Sequence, residues 1–96
     1  MFQDDECLGV LRSLGLTVLQ AKIYLALARS GVADVKTISS VSGVARQDVF
    51  RVMSGLQELG LVENSASSQD VYNAVPLRKG LFVLLQQKVE ENAVLQ

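Results

Sequence analysis

The chain has 96 residues, 49% of them hydrophobic, and its nine Lys and Arg against ten Asp and Glu give a net charge of −1. This length predicts one domain with its own core, and the high apolar content with low net charge excludes a mainly disordered chain. With no histidine, one cysteine and no Gly-rich phosphate loop, the sequence argues against a disulfide framework, a metal site, a cofactor and an enzymatic function.

The N-terminal segment predicts a helix rather than a targeting signal. Residues 1–6 are acidic where a signal peptide would be basic, and no apolar run approaches the roughly 18 residues of a membrane-spanning helix. We therefore expect a cytoplasmic protein without membrane association. The apolar residues of the predicted first helix, over about 4–14, are Cys7, Leu8, Leu11 and Leu14.

A capping box marks the start of the second predicted helix. Thr17 and Gln20 have the Thr-x-x-Gln spacing in which each side chain bonds the backbone N–H of the other residue. A helical stripe that includes Ala21 and Tyr24 follows, and Gly31 ends it. We therefore predict a second helix over about 17–30.

A helix-turn-helix pattern comes next. A short helix is predicted over 35–42 with Asp34 as its N-cap, and Gly43 stands where a tight turn reverses the chain. A longer helix over about 46–59 carries an apolar stripe on one side and ends before Gly60. This order of helix, glycine-containing turn and helix predicts a helix-turn-helix motif.

A hairpin and a long helix complete the chain. Two β-capable runs, over 61–64 and 70–75, flank a small polar segment and predict a two-stranded wing. Pro76 ends the second strand and is expected at the first position of a helix that continues to residue 96. The predicted fold is mainly α (α+β), a winged helix-turn-helix with a two-stranded wing and a long C-terminal helix.

Five stretches of the sequence resemble the TrmB-type archaeal transcription regulators. The resemblance covers nearly the whole chain, from about residue 11 to residue 89. The order and spacing of the stretches make it specific for the fold, and less so for the biological role. The matching segments are LGLT at 14–17, AKIYLAL at 21–27, SGVARQDVF at 42–50, LQELGLVE at 56–63 and YNAVP at 72–76.

This resemblance implies a winged helix-turn-helix that binds duplex DNA as a dimer. It suggests a DNA-binding domain over 1–75 and a dimerisation helix over 76–96. Many family members continue into a C-terminal domain that senses sugars, so the chain is expected to be a short member or part of a longer regulator. The sequence departs from the family at Ala45, where proline is frequent, and in the wing segment 65–70, which lacks Lys and Arg.

The predicted DNA-binding residues lie on the two helices of the helix-turn-helix. The N-terminal residues of the second helix meet base edges in such domains, where Arg pairs with guanine and Gln with adenine. The short helix before it offers an N-terminus for a phosphate oxygen. The net charge of the chain alone favours the interpretation of these side chains as an ordinary solvated helix face. The family resemblance favours DNA binding instead. The predicted residues are Lys36, Thr37, Ser39, Arg46, Gln47, Asp48, Phe50, Arg51 and Ser54.

Asp48 stands apart from the other predicted residues because its charge repels phosphate. We expect it to act first as an acidic group at the helix N-terminus, where the helix dipole is positive. Acceptance of a hydrogen bond from a cytosine amino group is the alternative. Asp48 therefore remains a candidate DNA-binding residue, but its main expected role is to stabilise the N-terminus of the helix.

The last helix carries a candidate dimer interface. Phe82, Leu85 and Val89 follow one another at spacings of three and four, and Asn92 continues the row. These residues pack either against a second copy or back onto the first helix. We favour the second copy, because a helix of this length otherwise exposes a large apolar patch.

The sequence thus predicts a dimeric, sequence-specific DNA-binding transcription regulator with double-stranded DNA as its partner. The alternative is a winged-helix module that binds another protein and has no DNA binding of its own. The slightly acidic charge and the wing without basic residues favour this alternative. An enzyme is the weakest interpretation.

Overall fold

The computed structural model describes residues 4–65 and 70–95. Within them the chain forms five helices and one antiparallel sheet with the strand order β1-β3-β2. This arrangement is a winged helix-turn-helix and confirms the predicted fold class. The elements are α1 (Asp4–Ser13), α2 (Val18–Ser30), β1 (Val32–Asp34), α3 (Val35–Ser42), α4 (Arg46–Glu58), β2 (Val62–Asn64), β3 (Val71–Ala74) and α5 (Leu77–Leu95).

The capping box at the start of α2 is confirmed. The Gln20 N–H donates to Thr17 Oγ1 at 3.1 Å, and the Thr17 N–H donates to Gln20 Oε1 at 2.9 Å. These two bonds satisfy backbone donors that the first turn of a helix leaves free. Gly31 ends α2 with φ 83°, a conformation that favours glycine. Both ends of α2 are therefore fixed by local chemistry.

Strand β1 was not predicted, and it changes the two-stranded wing into part of a three-stranded sheet. Its residues pair antiparallel with β3, with Ala33 opposite Tyr72 and Asp34 opposite Val71. The wing hairpin itself is formed by β2 and β3, with Val62 opposite Ala74. A strand of three residues is too short to show an alternating pattern in the sequence. The strand depends on a partner about 40 residues further along the chain.

The core lies between the helices and the sheet, and the apolar stripes predicted for α1, α2 and α4 point into it. Helix α3 buries Val35 and Ile38, whereas its Val41 is exposed. Cys7 is buried as a small apolar residue, and Tyr24 and Tyr72 are both buried. The wing and the helix-turn-helix therefore share one core with α1 and α2. The largest fully buried side chains are Tyr24, Leu11, Ile23, Leu27, Ile38, Met53, Leu56, Leu61 and Val49.

The start of α5 packs closely on α2. The hydroxyl of Tyr24 donates to the carbonyl of Val75 at 2.6 Å, and burial raises the pKa of Tyr24 to about 12. The hydroxyl therefore stays protonated and able to donate at neutral pH. Gly80 lies against this hydroxyl without room for a Cβ atom, and Leu84 is buried one turn later. One face of the first half of α5 is thus packed against the core.

Pro76 stands one position earlier than predicted. Its carbonyl accepts the first helical hydrogen bond, from the N–H of Gly80 at 2.9 Å, and α5 begins at Leu77. Pro76 is therefore the N-cap rather than the first helical residue. The difference is small because the fixed φ of proline and its missing N–H suit both positions.

Candidate nucleic-acid interface

The turn between α3 and α4 is held by serine side chains and one glycine. Gly43 has φ 76° in the left-handed region, as predicted for a tight turn. The hydroxyl of Ser39 donates to the carbonyl of Val44 at 2.5 Å, and the hydroxyl of Ser42 donates to the carbonyl of Ile38 at 2.6 Å. The bond of Ser39 ties α3 to the turn before α4, and the bond of Ser42 lies within the last turn of α3. Ser39 is partly buried, and its hydroxyl proton is donated within the turn. The structure therefore does not place Ser39 among the exposed candidate residues.

The N-terminus of α3 is capped by Asp34. The N–H of Thr37 donates to Asp34 Oδ1 at 2.8 Å. Hydrogen bonds from the side chain and then the backbone of Thr37 lower the pKa of Asp34, and the charges of Lys36 and Arg46 add to the effect. One amide of the helix N-terminus at which a phosphate oxygen was expected, the N–H of Thr37, is thus already bound to a carboxylate. Lys36 remains exposed as the phosphate-binding candidate of this helix.

Replacing Asp34 by alanine is expected to lower the Tm by a few degrees, because the Thr37 N–H loses its partner. Asparagine caps about as well but carries no charge, so Asp34→Asn separates the bond from the charge. Folding lowers the pKa of Asp34, so its charge stabilises the protein above the ordinary carboxyl pKa of about 3.9. This contribution is lost as the pH falls through the folded-state pKa.

The measurement is thermal unfolding of the wild type, Asp34→Asn and Asp34→Ala, followed by circular dichroism. The Tm advantage of the wild type over Asp34→Asn should shrink as the pH is lowered from about 7 to about 2, across the titration of carboxylates. An advantage that stays the same over this range would contradict the assignment of the charge effect to Asp34.

The exposed face of α4 carries most of the predicted DNA-binding side chains. Arg46 is the first helical residue, and Gln47 and Phe50 follow at spacings that place them on adjacent turns of the same surface. The opposite side of the helix is buried in the core through Val49, Met53 and Leu56. The helix therefore presents cationic, amide, aromatic and hydroxyl groups side by side. The exposed predicted residues of α4 are Arg46, Gln47, Phe50, Arg51 and Ser54.

Asp48 lies in the first turn of α4, where an acidic residue stabilises the helix dipole. Its Oδ1 is 3.7 Å from Nη1 of Arg51, whose side chain is 79% exposed. An exposed pair at this distance contributes little to stability. Arg51 is therefore free to exchange the carboxylate for a phosphate or a base, and Asp48 has the structural position that the sequence favoured for it.

A shallow hollow beside the start of α4 brings three predicted residues together. Lys36, Arg46 and Phe50 line it with Val35 and two acids. The N–H of Val35 donates to the carbonyl of Asp70 at 3.1 Å, which holds the beginning of β3 against the beginning of α3. Sequence reasoning did not include Val35 or Asp70 in the site, because this bond joins distant segments and has no local signature. The acids of the hollow are Asp34 and Asp70.

The outer face of α5 exposes the predicted row of apolar side chains. Phe82, Leu85 and Val89 are 59%, 52% and 58% exposed, whereas Leu84 is buried and Leu81 packs against the core. The alternative in which this row folds back onto α1 is therefore wrong for these three side chains. The side chain of Asn92 lies outside the described residues.

Within residues 4–65 and 70–95 the fold contains neither a membrane-spanning helix nor a cluster of metal-ligating side chains. None of the helices there is long and apolar enough to cross a membrane. Over the same residues, no group of three or more His, Cys, Asp or Glu side chains is arranged to hold a metal ion.

The helix-turn-helix, the hairpin that follows it and the polar exposed face of α4 define a winged helix-turn-helix domain. Residues 11–78 match the model of the family described as the sugar-specific transcriptional regulator TrmB, and the chain belongs to this family. The resemblance stated from the sequence motifs is thereby confirmed.

The fold is also similar to that of a solved structure, TrmBL2, which is described as an archaeal chromatin protein with a novel mode of DNA binding. The two share 23% sequence identity with a TM-score of 0.84, over 95% of this chain and 35% of the TrmBL2 chain. This chain therefore spans about a third of the length of that protein. No curated protein matches the sequence significantly.

Proposed function

We propose that the chain is a transcription regulator that binds duplex DNA in a sequence-specific manner, with α4 in the major groove. The observation that carries the proposal is the exposed surface of α4 with Arg46, Gln47 and Arg51, together with the hollow in which Arg46 lies beside Lys36. The membership in the TrmB family and the DNA binding described for TrmBL2 support it.

The side chains at the start of α4 suit the readout of base edges. Arg46 offers two parallel donors to O6 and N7 of guanine, and Gln47 offers a donor and an acceptor to adenine. Lys36, at the start of α3, has the charge and exposure to contact a flanking phosphate. Ser54 and Arg51 lie further along α4 and suit the far side of the groove.

A dimer joined through the apolar row of α5 completes the proposal. Two copies would present two α4 helices to successive major grooves, with half-sites about 10 base pairs apart or a multiple of that. The exposed Phe82, Leu85 and Val89 supply the self-complementary apolar surface that a twofold interface needs. The boundary between a DNA-binding unit over 1–75 and a dimerisation helix over 76–96 is part of this proposal.

Replacing Leu85 by serine is expected to weaken the dimer at least tenfold. Each copy loses the burial of one leucine side chain, roughly 1.5–3 kcal/mol. Sedimentation velocity over a concentration series measures the change, and Glu90→Ser is the control at an exposed position off the apolar row. Equal dimer dissociation constants for both variants and the wild type would show that α5 is not the interface.

Binding of a mixed pool of labelled duplexes, measured by fluorescence anisotropy at low and moderate salt, tests the proposed function. Binding should weaken steeply with salt, because each neutralised phosphate releases counterions. Sequencing of the retained fraction then gives the preferred sequence and the half-site spacing. No binding at low salt would overturn the proposal.

The second candidate is a protein-interaction module, and the charge distribution is what favours it. The net charge is −1, and the wing segment 65–70 carries no Lys or Arg for phosphate contacts. In this case α5 or the wing would contact a protein partner instead. The anisotropy experiment separates the two, because the module is expected to bind no duplex at any salt concentration.

A further inference from the structure

Phe50 is the exposed large apolar side chain of α4, with 46% of its surface open to solvent. The other large apolar side chains of this helix are buried or partly buried in the core. Arg46 precedes Phe50 by four residues and Ser54 follows it by four, so the ring lies in one row with a cation and a hydroxyl. The ring is therefore only partly packed within the described residues, and nearly half of its apolar surface stays open on the face of α4 that also carries Arg46.

The surroundings of Phe50 combine apolar groups with positively and negatively charged ones. The ring lines the hollow that Val35, Lys36 and Arg46 also line. Asp34, on the same hollow, is held by the backbone N–H of Thr37, so its carboxylate is engaged in capping α3. A ligand at this place therefore meets an aromatic surface next to two cationic side chains, with the carboxylates of Asp34 and Asp70 also on the hollow.

We propose that Phe50 recognises the C5-methyl group of a thymine in the major groove, next to a base edge that Arg46 bonds. The inference rests on the proposed DNA binding and adds a base preference to it. Thymine presents a methyl group in the major groove, which is where an apolar side chain distinguishes it from cytosine and uracil. The ring and the guanidinium are one helical turn apart, so they reach neighbouring bases of the same site.

Substitution of uracil for thymine tests this contact, since it removes the methyl group and keeps the base pairing. The duplex retained by the wild type from the mixed pool is made in two forms, with thymine and with uracil throughout. The wild type should bind the thymine form about fourfold more tightly for each methyl group that it contacts. This factor corresponds to the burial of one methylene-sized group, about 0.8 kcal/mol.

Variants of Phe50 assign the preference to this ring. Phe50→Ala should bind both forms equally, and Phe50→Leu should keep part of the preference because leucine also contacts a methyl group. Arg12→Ala, on an exposed position of α1, is the control and should keep the full preference. Circular dichroism checks that each variant is folded, which is expected because Phe50 lies on the surface.

The outcomes separate this inference from the proposed function. Equal binding of both duplex forms by the wild type, or a full preference retained by Phe50→Ala, would overturn the inference and leave DNA binding intact. A failure to bind any duplex at low salt would overturn both. A preference that is lost in Phe50→Ala and kept in Arg12→Ala is the result we expect.

Discussion

Replacing Gly80 by alanine is expected to destabilise the protein by about 1–3 kcal/mol, because the new methyl group overfills the contact between α2 and α5. A Cβ atom there would overlap the hydroxyl of Tyr24 and lie 2.9 Å from its Cζ and 3.3 Å from Cδ2 of Leu61. The ring of Tyr24 cannot turn aside, because it is fully buried and its hydroxyl bonds the carbonyl of Val75. The start of α5 must therefore move.

Urea unfolding of Gly80→Ala and Gly9→Ala measures this effect with a matched control. Gly9 is also helical, but a Cβ atom at this position has no neighbour within 4 Å. Alanine at Gly9 should therefore be neutral or stabilising by up to about 1 kcal/mol. Equal effects at the two glycines would contradict the close packing of α5 on α2.

Removing the Tyr24 hydroxyl tests the same contact from its other side. Tyr24→Phe alone should cost about 1 kcal/mol, the usual contribution of a hydrogen bond. In the double variant Tyr24→Phe/Gly80→Ala the overlap with the hydroxyl is gone, so the two costs should sum to more than the measured loss. Additive costs would mean that the hydroxyl does not limit the space at Gly80.

Most of the helical fold could be predicted from the sequence because its signals are local. The Thr17–Gln20 capping box, the Asp34 N-cap and the turn at Gly43 each depend on residues within a few positions of one another. The bounds of α3 agree with the prediction, and those of α4 agree to within one residue. Local capping chemistry fixes where these helices begin and end.

The features that the sequence did not reveal depend on distant pairings. Strand β1 exists because β3 lies beside it, and three residues leave no pattern of their own. The contact of Gly80 with Tyr24 joins residues more than 50 positions apart. A glycine inside a predicted helix gives no indication of which surface it faces.

The sequence predicted which residues of the candidate site lie on the exposed surface, but it did not predict their hydrogen bonds. The pattern of α4 identified its exposed face, because a buried stripe at helical spacing leaves the other residues outside. It did not show that Ser39 is used within the turn or that Thr37 is bound to Asp34. Those hydrogen bonds reduce the predicted contribution of α3 to DNA binding to Lys36.

Replacing Arg46 by alanine is expected to weaken binding to the selected duplex at least about fivefold. A bidentate contact of arginine with guanine discriminates between bases by about 1–3 kcal/mol. Arg46 is the first residue of α4 and exposed, where base contacts of this fold are made. Anisotropy titration of the wild type and the variant at one fixed salt concentration measures the loss.

Lysine at the same position separates charge from geometry. Arg46→Lys keeps the positive charge but cannot form two parallel hydrogen bonds to one base. It should therefore keep most of the salt dependence and lose discrimination at one base pair, which sequencing of the retained duplexes detects. Arg12→Ala removes the same charge from α1 and should change neither property by more than about twofold, as expected for a distant, screened charge. If Arg46→Ala behaved like Arg12→Ala, the start of α4 would not be the base-reading surface, and the proposal would have to move to another face of the domain.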